Sequence, residues 1–147
     1  MKNILKMIAV AALAAFTTGT VLADAKVKAG PRKGRVLEME KQNAEFFVEK
    51  DRTVSIAFYD AELKAQPLAA QTVTATAEAP SGKAKLEFEK KGDLLVSKTP
   101  LPEGGIYTVV VQVKADADAK PKNFRIPLDL SHCKGCGNAE YACTCDE

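Results

Sequence analysis

This chain has no tryptophan, a single histidine and no cysteine before residue 133. Without a tryptophan or a cysteine pair in its body, it cannot have the core of an antibody-type domain, where a buried Trp packs on an inter-sheet disulfide. With His132 as its only imidazole, a Ser-His-Asp or Cys-His set would have to be built around that residue, and only a tail cysteine stands near it. No enzyme is expected on that ground, and no catalytic residue is assigned. Haem attachment through Cys-x-x-Cys-His is excluded because Gly137, not His, follows Cys136. After residue 23 no apolar run approaches membrane-spanning length, so no membrane insertion is expected once the leader is removed.

The leader itself is legible. Lys2 and Lys6 precede an apolar run over residues 8–16, followed by Thr17, Thr18 and Thr20 and then Val21-Leu22-Ala23. A charged start, a short apolar stretch and small residues before a cleavage point make a secretory signal peptide over residues 1–23, cut after Ala23, with Ala25 as the alternative. The expected location is periplasmic or secreted. Losing Lys2 and Lys6 brings the cations level with the 19 acidic residues. A balanced, evenly mixed chain has no phosphate-binding footprint, so nucleic acid is not an expected partner.

The body is patterned for strands. Val54, Ile56 and Phe58 alternate with Ser55, Ala57 and Tyr59. Val73, Ala75 and Ala77 alternate with Thr72, Thr74 and Thr76. Leu86 and Phe88, then Tyr107, Val109, Val111 and Val113, then Phe124, Ile126, Leu128 and Leu130 continue the period of two. Such alternation buries one face of each strand and leaves the other in water. Turn-forming residues separate the runs at 50–52, 79–82, 91–93 and 100–105. The spacing predicts about eight strands, at 35–40, 44–49, 53–59, 72–78, 84–90, 94–98, 106–114 and 123–130. The fold class expected is all-β, an antiparallel immunoglobulin-like sandwich of seven to eight strands over residues 34–130. Residues 24–33 are expected as a flexible N-terminal segment, and 60–70 as a loop or single turn limited by Pro67. Residues 115–122 are expected as an exposed hairpin loop. Glu38, Glu40, Glu45, Glu49, Glu87 and Glu89 are read as a solvated face, and Met39 as core.

All four cysteines fall in an irregular tail over residues 131–147, as Cys133-Lys-Gly-Cys136-Gly137 and Cys143-Thr-Cys145. The first part resembles the zinc knuckle of ribbon and rubredoxin-type sites: two intervening residues turn both sulfurs toward one point, and the following glycine lets the backbone aim N–H groups at sulfur. The second part can bring two more thiolates there. Four thiolates suit tetrahedral Zn, and soft sulfur also suits Cu(I). His132 is a fifth candidate, as ligand or as donor to a ligand, and Asp146 and Glu147 adjoin the last thiol. An oxidising compartment also permits disulfides, in three possible pairings. Because the cysteines are confined to the tail, the domain is expected to fold without them. Tyr141 is a candidate to pack the tail back onto the body.

Residues 30–68 contain Gly-Pro-Arg-Lys-Gly-Arg-Val, Asn-Ala-Glu-Phe-Phe-Val and Arg-Thr-Val-Ser-Ile-Ala-Phe-Tyr-Asp-Ala. This stretch resembles a small envelope β-module found in or beside the periplasmic adaptors of heavy-metal efflux systems. The resemblance implies metal traffic in the envelope and an efflux or other envelope protein as partner. Where such modules carry His near the first turn, this chain has Arg32 and Lys33, so that turn is not expected to hold metal. Three functions are therefore carried forward. The first is metal buffering, sensing or delivery through Cys133, Cys136, Cys143 and Cys145. The second is an interaction module with a disulfide-closed tail. The third is a redox pair at Cys133 and Cys136.

Overall fold

Alternating hydrophobicity produces nine strands: β1 (Arg35–Glu38), β2 (Asn43–Val48), β3 (Val54–Tyr59), β4 (Ala65–Gln66), β5 (Thr72–Ala79), β6 (Gly82–Lys91), β7 (Leu94–Ser97), β8 (Tyr107–Lys114) and β9 (Lys122–Leu128). A 3-10 helix (Glu140–Ala142) follows in the tail. The computed structural model describes residues 26–145. The leader read in residues 1–23, and Asp146 and Glu147, lie outside the described residues. Among those described, no helix is long and apolar enough to cross a membrane. The predicted strands match eight of these elements closely. The ninth, β4, arises where a loop was expected: Ala65 and Gln66 pair with Tyr59 and Phe58 just before Pro67 ends the ladder.

All pairings are antiparallel, and the strands form one continuous sheet in the order β1-β2-β3-β7-β6-β5-β8-β9, with β4 against β3. This corrects the expected sandwich. The strand responsible is β6, which pairs with β5 up to Glu87 and with β7 from Phe88 onward. A ten-residue strand shared in this way joins two sheets that a sandwich would keep apart. The result is a nearly closed, barrel-like sheet. Period-two alternation looks the same in both architectures, so it could not tell them apart.

Of the rows predicted from alternation, Ile56, Phe58, Leu86, Val109, Val111, Ile126 and Leu128 are essentially inaccessible to water, while Phe88, Phe124 and Leu130 are only partly buried; Phe46 of β2 joins this interior. Met39 packs against this core. Strand β3 is buried on both faces, because Ser55, Ala57 and Tyr59 are covered too. Their cover is the segment before β1. Ala29 bridges Arg35, Gly30 N–H donates to Gly34 at 2.9 Å, and the turn folds over Glu45. Glu45 was expected on a solvated face; it is fully buried instead. Its carboxylate accepts the backbone N–H of Gly34 at 2.7 Å and of Arg32 at 3.0 Å, and the hydroxyl of Tyr59 at 2.8 Å. Three donors offset the desolvation of a charge that alternation alone would leave in water. Beside it, Arg32 donates to Ser55 and Glu49, both at 2.7 Å, and stacks over Phe47.

The edges of the sheet, β1 and β9, come together without pairing. At one end Lys122 Nζ donates to the Glu38 carbonyl at 2.7 Å. At the other, the tail fills the gap. Tyr141 N–H donates to Asp129 at 3.1 Å and Glu140 N–H to Ser131 at 2.8 Å. The Tyr141 ring meets Phe46 edge to face at 5.7 Å. Tyr141 is 4% exposed and Ala142 fully buried, so both belong to the core. The tail is therefore not a mere addition to a finished domain: its helical turn caps the seam that the missing β1–β9 ladder leaves open. Tyr141 thus packs the tail back onto the body, as expected.

Candidate metal centre

The tail leaves β9 at Leu128, loops through the cysteines and returns to the barrel through Tyr141. Its shape comes from a few backbone bonds. Cys133 N–H donates to Asn138 at 2.8 Å, and Gly137 N–H returns to the Cys133 carbonyl at 2.9 Å. This closes a tight turn around Cys136. Gly137 sits at φ +72°, where a side chain would be strained. His132 bridges Ala139, aligning the two arms of the loop. The 3-10 helix then places Cys143, whose N–H donates to Glu140 at 3.1 Å. Cys145 follows two residues on, and extended backbone at Cys143 turns the two thiols of the Cys-x-Cys toward the knuckle.

The four sulfurs converge. All lie within 4.8 Å of one another. Cys133 to Cys145 and Cys136 to Cys143 are each 3.7 Å, and Cys133 to Cys143 is 3.1 Å. All four thiols are free. Sulfurs held about 2.3 Å from a zinc ion at tetrahedral corners stand about 3.8 Å apart along each edge. The two 3.7 Å spacings match that figure, the 3.1 Å pair is tighter, and all three exceed the about 2.05 Å of a disulfide by more than an ångström. Gly135 is needed for this approach: a Cβ there would stand 2.7 Å from Cys145 Sγ. Four clustered cysteines that can hold a metal ion are thus a property of the fold.

The electrostatics fit a cation site. The backbone N–H of Thr144, then that of Asn138, point at Cys136 sulfur and pull its thiol down to about 6, so it is a thiolate at neutral pH. Cys143 is pushed up to about 12, first by the Cys133 sulfur beside it, and Cys145 is raised by the same neighbour. One negative charge is welcome in the cluster and further ones repel. A divalent or soft monovalent cation removes that repulsion, since bound thiols are deprotonated outright.

The predicted residues separate here. Cys133, Cys136, Cys143 and Cys145 are brought together. His132 is exposed and not a member of the group; it lines an adjoining groove with Arg32, Phe47, Glu49 and Tyr141. Sequence reasoning missed the Asn138 and Thr144 amides and the role of Gly135. A glycine inside the Cys-x-x-Cys was the available signal for the last.

No family model, no curated protein and no solved structure matches the chain.

Proposed function

We propose that this chain is an exported, non-enzymatic metal-binding protein that holds Zn or Cu(I) through Cys133, Cys136, Cys143 and Cys145. Its role is metal buffering, sensing or delivery in the periplasm. The observation that carries the reading is the mutual distance of the four sulfurs, all within 4.8 Å and with two edges of 3.7 Å. The leader over residues 1–23 supports export, and the resemblance of residues 30–68 to efflux-associated modules points to an envelope partner. When bound, the ion would draw its four donors from the knuckle and the Cys-x-Cys, with His132 beside the site.

A second reading has its own support. Cys133 and Cys143 are the nearest pair, at 3.1 Å, and an oxidising compartment favours closing such a pair. The protein would then be an interaction module with a clamped tail. Thiol titration and elemental analysis of protein purified from its own compartment separate the two. Four free thiols with about one metal ion per chain support the metal site. Protein with no free thiol and no metal supports the clamp.

A further inference from the structure

The four cysteines are not held alike. Cys133 is fixed through both backbone groups, its N–H on Asn138 and its carbonyl on Gly137. Cys136 lies inside that turn, with two backbone N–H groups directed at its sulfur. Cys143 follows the buried Tyr141 and Ala142, so its backbone moves only if the barrel seam opens. Its N–H is bonded to Glu140 at 3.1 Å. Cys145 differs in position and exposure: its amide N–H is directed at the Cys143 sulfur, but its own side chain is the least enclosed of the four. It lies beyond the last core residue, and it alone of the four is exposed. Its sulfur meets Cys133 Sγ at 3.7 Å and the bare backbone of Gly135, which carries no side chain to shield it.

We propose that Cys145 is the replaceable ligand of the centre: Cys133, Cys136 and Cys143 form a fixed three-sulfur base, and an incoming thiolate takes the fourth position as the ion is passed on. This rests on the metal reading above and selects delivery among its roles. A closed structural zinc site has four equally secured ligands, whereas sites that exchange keep one position open or easily opened. The step balances without an oxidant or reductant. The incoming thiol gives up its proton as its sulfur bonds the ion. The ion–Cys145 bond breaks, and the released thiolate takes up a proton. One sulfur replaces another, so the donor set and the oxidation state of the ion are unchanged. The incoming thiolate comes from a small soluble thiol or from a cysteine of a partner protein.

The test uses the full mature chain loaded with zinc and a chromogenic chelator that reports released ion. Release is timed against increasing glutathione, and separately against a peptide containing Cys-x-x-Cys. The wild-type rate is expected to rise in proportion to added thiol. Acceleration by both probes assigns the exchange to thiolates in general, and acceleration by the peptide alone assigns it to a protein partner. Cys145→Ser should still bind one zinc but release it at least tenfold faster at the same thiol concentration. Cys136→Ser should lose stoichiometric loading, with circular dichroism confirming that both variants keep their sheet. A thiol-independent rate in wild type overturns the assignment, as does a folded Cys145→Ser that loses zinc as completely as Cys136→Ser. A wild-type chain that takes up neither zinc nor Cu(I) overturns the metal reading itself and this inference with it.

Discussion

The hydroxyl of Tyr141 accepts the backbone N–H of Val48 at 3.1 Å, and this bond ties the cysteine tail to the barrel. Strand β1 pairs with β2 only as far as Phe46, so the Val48 amide lies past the end of its neighbour and has no ladder partner on that side. A phenol from the tail supplies the acceptor, while its ring covers Phe46. The cysteine cluster and the unpaired β1–β9 seam are thereby joined through the two residues that precede Cys143.

Removing that hydroxyl should be felt. Tyr141→Phe keeps the ring on Phe46 but leaves the Val48 amide unpaired, at a cost of about 1–3 kcal/mol. Tyr141→Ala also empties the seam and should cost about 3–5 kcal/mol. Urea denaturation followed by circular dichroism measures both. A Tyr141→Ala protein as stable as wild type would contradict the capping role of the tail.

Metal should stabilise the whole domain through the same link. An ion that binds only the folded chain adds about 4 kcal/mol when its free concentration is about a thousand times Kd. Zinc is therefore expected to raise Tm, and a chelator to lower it. Hydrogen exchange at the Val48 amide should slow on loading. With all four cysteines changed to Ser, the sheet should still form, but zinc should leave both Tm and Val48 exchange unmoved. An equal zinc response in that variant would place the binding elsewhere.

Glu45 should be among the least replaceable polar residues. Glu45→Ala strands the N–H groups of Arg32 and Gly34 and the hydroxyl of Tyr59. At about 1–3 kcal/mol for each buried unpaired donor, the loss should reach several kcal/mol. Glu87→Ala, on the exposed side of β6, should change stability by no more than about 0.5 kcal/mol. Paired denaturation curves for the two variants make the comparison, and equal losses would count against the buried network.

Alkali should unfold this protein through its tyrosines. Burial, and then the bond to Glu45, push Tyr59 from the ordinary 10.0 up to about 12. Burial also raises Tyr107 and Tyr141. Above about pH 10 the unfolded chain releases protons that the native state still holds. Stability is therefore full below that pH and falls as pH climbs toward 12. Tyr59→Phe should be less stable at neutral pH by about 1.5–3 kcal/mol, the worth of a hydrogen bond to a charged group. It should lose less on going to high pH. Urea midpoints across that range test the slope, and an unchanged slope in Tyr59→Phe would remove Tyr59 as a cause.

Strand positions were legible because a residue's face on a strand depends only on its neighbours in the chain. The rows Val54-Ile56-Phe58 and Tyr107-Val109-Val111-Val113 needed no tertiary information. Glu45 was misread by the same rule. Its place in the alternation is outward, and only the fold-back of residues 30–34 turns that outward position into a buried one. The two-residue strand β4 was too short for any pattern to register. At the tail, the spacing of Cys133, Cys136, Cys143 and Cys145 was enough to suggest convergence, but His132 could not be placed, since adjacency in sequence does not aim an imidazole.

From its sequence alone the chain determined an all-β body and a cysteine tail with metal-ligand spacing, both of them local patterns. Tertiary structure alone decided that β6 joins two sheets into one nearly closed barrel, that Glu45 is buried, and that the tail caps the seam. Those outcomes depend on contacts between residues far apart in the chain, such as Val48 with Tyr141. Periodicity and motif spacing carry no information about contacts of that kind.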